Sequence, residues 1–210
     1  ADFQTNQFQP AADALAKLKE ARNQPELKTA AWFSGVFVML AESNFRLKQY
    51  DAVAATATEF RQWSPESPLL HEVDDSLGRS LIAQAKFTEA REAFSRVTKD
   101  PAGRRTPTAA KCQFYIAESY FIQAEAERDD PMKANLFGKA LQEYFKVEAL
   151  YKFPEWQAPA VFQAAACYEK LNQWKEAVKT YDGLIKDYPQ SEYSTKAKPR
   201  MEAARLKVGG

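Results

Sequence analysis

Apolar residues in this chain recur in short helical bursts, two to a period, and the last complete period shows the arrangement most clearly. Val161, Ala164, Ala165 and Tyr168 fall at i, i+3, i+4 and i+7, the spacing of one face of a helix. Ala177 and Tyr181 open a second burst, and Pro189 ends it. The pattern predicts a helix, a tight turn and a second, antiparallel helix. It is met earlier as well. Phe37, Leu40 and Ala41 fill a first helix that closes at Leu47; Tyr50 opens its partner, Phe60 packs back, and Pro65 stops it. Next come Leu77-Gly78, then Phe87, Ala90, Phe94 and Val97, ending at Asp100-Pro101. Gly78 is expected where two helices approach closely, which gives its missing side chain a packing reason.

The third period is stretched. Ile116, Ala117 and Tyr120 fit its first helix, and Ala140, Tyr144 and Val147 its second. Tyr120 and Ala140 are 20 positions apart, whereas Tyr168 and Ala177 are 9 apart, so eleven extra residues are accommodated around Asp129-Asp130-Pro131. Ala124, Ala126, Ala134 and Leu136 keep good helix formers running up to that break. Two lengthened helices are expected, the second started by proline. The ends are incomplete. Phe8 to Ala21, with Pro10, Ala11, Leu15 and Leu18, reads as the second helix of a period that lacks its first. The chain is either excised from something longer or begins with a genuine N-terminal helix. Ser191 to Val208 reads as a closing helix, interrupted or bent at Pro199, whose polar face (Lys196, Lys198, Arg200, Glu202, Arg205) suits a solubilising cap. The expected total is nine or ten antiparallel helices.

Composition narrows the classes. The 210 residues suit one or two globular domains or one repeat array, and 45% hydrophobic content is ample for a core. A net charge of +1 provides no long-range field for nucleic acid or an anionic membrane. Trp32 to Ala41 is too short to span a bilayer and contains Ser34 and Gly35. Ala1-Asp2-Phe3-Gln4 has neither the basic start nor the apolar core of a signal, so a cytoplasmic chain or a mature chain already trimmed is expected. Cys112 and Cys167 sit in separate helices and are expected as buried, reduced thiols.

No catalytic, metal or cofactor constellation emerges. His71, the single histidine, reads as a surface residue ahead of a helix with no cysteine or second histidine beside it. Asp74-Asp75 and Asp129-Asp130 read as carboxylates favoured near helix starts. Gly-rich phosphate loops are missing, and Ser76 and Ser80 lack a base in any motif. Lys99, Arg104 and Arg105 mark a basic turn from Lys99 to Pro107, read as a solvated loop.

The slots Val161, Ala164, Ala165, Tyr168, Ala177, Tyr181 and Pro189 follow the pattern W-x2-L-G-x2-Y…A-x3-F…P with conservative swaps, and the chain resembles the tetratricopeptide-repeat family over nearly its whole length. The resemblance implies an all-α fold of antiparallel helical hairpins stacked in a right-handed superhelix. It divides 1–210 as a single array: a partial repeat at 8–22, repeats at 29–65, 69–101, 107–154 (lengthened) and 158–189, and a capping helix at 191–208.

The same resemblance implies a non-enzymatic scaffold for a protein or peptide partner, without nucleic acid, cofactor or direct membrane insertion. The alternative is an accessory domain of a larger enzyme or regulator. In the family the first helix of each repeat lines a concave groove. Carried onto this chain, the inward positions are Val38, Glu42 and Phe45; Asp75, Arg79 and Ile82; Phe114, Glu118 and Phe121; and Phe162, Ala166 and Glu169. Helical spacing independently puts Phe114, Glu118 and Phe121 on one face. An apolar groove of this kind accepts an extended segment or an amphipathic helix, although the same rings are equally at home in an inter-repeat core. The Lys, Asn and Arg clamp that some members use for a C-terminal carboxylate is absent, since its slots hold Val38, Asp75, Phe114 and Phe162. Tyr188-Pro189-x-Ser191 before a closing helix is similar to bacterial envelope members such as the Tol-Pal system coordinator and the outer-membrane assembly lipoproteins, which implies the periplasm or cell envelope.

Overall fold

The computed structural model describes residues 7–28, 30–101 and 103–209, and every regular element among them is helical. Residues 1–4, read above for a targeting signal, lie outside the described residues. The chain divides into two compact units, Ala1–Gly103 and Arg104–Gly210.

The N-terminal unit contains α1 (Phe8–Glu20), a 3-10 turn (Ala21–Asn23), α2 (Pro25–Lys28), α3 (Ser34–Arg46), α4 (Tyr50–Trp63), α5 (Leu70–Ala83) and α6 (Phe87–Lys99). The apolar slots of the sequence become its core. Phe37, Ala41, Phe60, Ala90, Phe94 and Val97 are fully buried, and a buried Phe or Val side chain stabilises by about 1.5–3 kcal/mol. Phe37 stacks on Phe60 at 4.7 Å and on Trp63 at 5.4 Å between ring centroids. The Trp63 indole Nε1 donates to the Arg22 carbonyl at 3.2 Å, tying the 3-10 turn to α4. Gly78 is buried, and a Cβ built there would lie 2.4 Å from the Phe94 ring, so α5 meets α6 where only glycine fits.

The C-terminal unit contains α7 (Pro107–Ala126), α8 (Asp130–Leu150), α9 (Pro154–Lys170), α10 (Trp174–Asp187) and α11 (Glu192–Val208). The stretched period forms two long helices, with Asp129 capping α8 by accepting from the Met132 amide at 2.8 Å. Alanines at 117, 140, 160, 164, 165 and 177 are all buried and let these helices approach closely.

Three of the hairpins turn in one way. Lys48, Ala85 and Asn172 each adopt φ between 55° and 60°. The next amide reaches five residues back, Gln49 to Asn44, Lys86 to Leu81 and Gln173 to Tyr168, at 2.8–2.9 Å. This paired-bond helix ending normally favours glycine at the left-handed residue. The α7–α8 connection lacks it because the added residues let α7 run on to Glu127, which is extended.

Two expectations need correction. Pro199 does not interrupt the last helix: α11 runs unbroken from Glu192 to Val208, held through the missing N–H by Ala197, Met201 and Ala204 packed against the α9–α10 core. The helix count is eleven among the described residues, not nine or ten, because the four residues of α2 form a helix the apolar pattern does not mark.

Candidate functional site

All nine positions singled out for the groove (Val38, Glu42, Phe45, Arg79, Ile82, Phe114, Glu118, Phe121 and Phe162) are half-buried. Asp75 and Ala166, carried onto the same face, are buried instead, Asp75 beneath Arg79 and Ala166 under its own neighbours in a helix lined with alanine.

In the N-terminal unit, Glu42, Phe45 and Arg79 come together. The Arg79 Nη2 donates to Glu42 Oε2 at 2.6 Å, its Nε donates to Asp75 Oδ2 at 3.0 Å, and its guanidinium lies 4.3 Å from the Phe45 ring centroid. Arg46 Nε donates to the other Glu42 oxygen at 2.7 Å, and Ser76 Oγ donates to Oε2 at 3.3 Å. The Arg79 side chain is only 10% exposed and Glu42 17%. Burial alone pushes the Glu42 carboxyl up, but Arg79 and then Arg46 outweigh it and hold the group below its usual range. Val38 leans on the core beside Phe37, and Ile82 follows Arg79 one turn on. The charges on this face therefore neutralise one another, binding α3 to α5.

The C-terminal unit is built differently. Phe114 packs on Tyr144 at 5.6 Å and Trp156 at 5.8 Å; Phe121 meets Phe137 edge-on at 5.3 Å; Phe162 lies 5.8 Å from Tyr181 and 5.6 Å from Tyr193. Each ring rests on a core aromatic and stays half-buried. Glu118 stands between Phe114 and Phe121 on α7. Its Oε1 accepts from the Tyr144 hydroxyl and, at 2.9 Å, from Gln163 Nε2 on α9. Burial first, and then the Glu118 charge, raise Tyr144 well above the usual phenol range, so its hydroxyl stays the donor. Sequence patterning marks Tyr144 only as core, yet a buried tyrosine needs a partner for its hydroxyl, and that need is the signal that leads to Glu118. Nothing in the pattern marks Gln163, and Arg200 on α11, read from the pattern as part of a solubilising cap, has its guanidinium 5.2 Å from the Phe162 ring centroid while bonding Glu169.

Several residues outside this face are placed otherwise than expected. His71 lies inside the first turn of α5, not ahead of it, and is mostly enclosed; its Nε2 pairs with Asp100 Oδ2 at 2.5 Å and its ring fills the space a side chain at Gly103 would need. Asp74 and Asp75 lie in the second turn rather than at the helix start. Asp74 is a buried junction for Arg61 of α4 at 2.6 Å and Arg96 of α6 at 2.7 Å. Among the described residues no group of three His, Cys, Asp or Glu side chains is arranged for a metal, and no helix is long and apolar enough to cross a membrane. Cys112 and Cys167 are both buried, and the described residues form no disulfide. Burial, then Glu118, raises the Cys167 thiol far above its ordinary value, which makes it a poor nucleophile. Tyr188, Pro189 and Ser191 line a cavity of about 460 Å³ with Pro154, Glu155, Asp187 and Gln190.

Residues 160–191, spanning most of α9, all of α10 and the turn to α11, match the sequence model of the Tetratricopeptide repeat family. Residues 160–191 form a tetratricopeptide repeat. A solved chain from Podosopora anserina, described as a kinesin light chain of nearly identical TPR-like repeats, superposes with a TM-score of 0.60 at 16% identity, over 90% of this chain and 92% of that one. At that identity the likeness speaks for the tetratricopeptide fold alone. No curated protein matches the chain in sequence.

Proposed function

We propose that the chain is a non-enzymatic scaffold that holds an extended peptide or a partner helix along the first-helix faces of its tetratricopeptide repeats. The observation that carries this reading is the posture of Phe114, Phe121 and Phe162, which are half-buried and anchored on core rings. Rigid aromatic anchors in a desolvated groove are the usual centres of binding energy, and truncating one costs about 2 kcal/mol or more, roughly thirtyfold in affinity. Rim ion pairs contribute under about 1 kcal/mol and weaken with salt.

The proposal extends to a bacterial envelope complex on the strength of the Tyr188-Pro189-x-Ser191 ending, and fractionation of cells that make the full-length gene product tests that part. The groove itself is tested with segments selected from a random peptide display on the whole chain. Phe121→Ala is expected to weaken a selected segment roughly thirtyfold with helicity nearly unchanged. Retained affinity together with several kcal/mol of lost folding stability makes the ring core and removes the groove.

A further inference from the structure

We propose that Glu118 is the specificity element of the α7–α9 face, receiving a lysine or arginine side chain of the bound segment. The inference rests on reading that face as a binding surface and adds the chemistry of what it selects.

Tyr144 and Gln163 are neutral donors, and both act on the same Glu118 oxygen, Oε1. They fix the orientation of the group without cancelling its charge. The described residues place no donor on Oε2 and no lysine, arginine or histidine within ion-pair distance of Glu118. An ionised carboxylate in half-buried surroundings is costly unless a cation joins it, and the effective dielectric there strengthens the attraction when one does. The neighbours favour the same sign. Phe114 lies one turn before it and Phe121 one turn after, and Tyr115 and Trp156 extend the aromatic surface around Phe114. Ring faces attract ammonium and guanidinium groups. A carboxylate aimed by two fixed donors and bordered by aromatic rings is suited to a basic side chain flanked by apolar ones. An acidic segment meets repulsion here, and a wholly apolar one leaves the carboxylate without a counter-charge.

A structural role alone, as acceptor for the buried Tyr144 hydroxyl, makes a different prediction. Glu118→Gln keeps a carbonyl oxygen for Tyr144 and Gln163 but removes the charge. Short random segments displayed and panned on the whole chain are the probe. The wild-type chain is expected to enrich segments with Lys or Arg between apolar residues, and Glu118→Gln to enrich apolar segments without that basic residue. For a synthetic segment from the wild-type selection, changing its basic residue to Gln is expected to weaken binding to the wild type about tenfold. The same change is expected to make little difference on Glu118→Gln. If the two segments bind the wild type equally, or if Glu118→Gln keeps the basic preference, the inference is overturned while the groove stands. If no selected segment depends on Phe114 or Phe121, the groove and the inference fall together.

Discussion

Glu42 on α3 and Glu118 on α7 are half-buried carboxylates with opposite surroundings. Glu42 is gripped by Arg79 and Arg46, with Asp75 and Ser76 completing the network. Glu118 is oriented by a phenol and an amide, and its charge is left standing. What separates them is the residue that the neighbouring first helix supplies. In the N-terminal unit α5 brings Arg79 across to α3, whereas in the C-terminal unit α9 brings Gln163 across to α7. A half-buried carboxylate thus serves cohesion in one unit and, on the proposed reading, is left for recognition in the other. A half-buried charged residue in a groove acquires meaning only from its partner on the next helix.

The largest effect that sharpens this contrast is on stability. Arg79→Met removes one of the two cations on Glu42, which keeps Arg46, and the guanidinium beside the buried Asp75, and breaking a buried pair on one side costs roughly 3 kcal/mol or more. Glu118→Gln, which keeps its acceptor, is expected to change stability by under about 0.5 kcal/mol. Urea unfolding of the two variants measures the difference, and equal losses would erase the distinction between the units.

A second, smaller effect is acid sensitivity. The Glu42 carboxyl is held below its usual value of 4.5 in the folded state. Its stabilisation is therefore complete above that usual value and is lost as pH falls through the lower folded one. The gap in Tm between wild type and Glu42→Gln is expected to be constant near neutrality and to close in acid. A gap that widens as pH falls would place the ionised form in the wrong state.

The smallest effect is common to both units. Ala85 holds a left-handed turn residue at φ 57°, a conformation that costs an L-residue about 1–2 kcal/mol and glycine almost nothing. Ala85→Gly gives back part of that gain by loosening the unfolded chain, leaving a net stabilisation of about 0.5 kcal/mol. Lys48 and Asn172 occupy the same turn in their hairpins. A loss of stability on Ala85→Gly would mean that the turn is not strained.

The helices were legible in the sequence because alternate demands of core and solvent write a helical period into Phe37, Leu40, Ala41, Phe60, Phe94, Ala140, Tyr144, Ala164 and Tyr181. Gly78 announced a close helix crossing, and Asp129-Pro131 announced a capped helix start. The segment around α2 carried no such period, since none of its residues is buried. The rings of the candidate face were legible as positions on a helix face. Their electrostatic setting was not, because it depends on side chains far apart in the chain. Arg79 meets Glu42 from 37 residues away, and Gln163 meets Glu118 from 45. His71 was misplaced for the same reason, its partner Asp100 lying 29 residues on.

Which helices a bound segment covers decides between the proposed groove and the opposite side of the repeats. Hydrogen–deuterium exchange of the whole chain, with and without a selected peptide, resolves this helix by helix. Slowed exchange is predicted in α7 and α9, the helices that carry Phe114, Glu118, Phe121, Phe162 and Gln163, with α8 and α10 unchanged. Protection confined to α8 and α10 would contradict it and move recognition to the opposite side of the repeats.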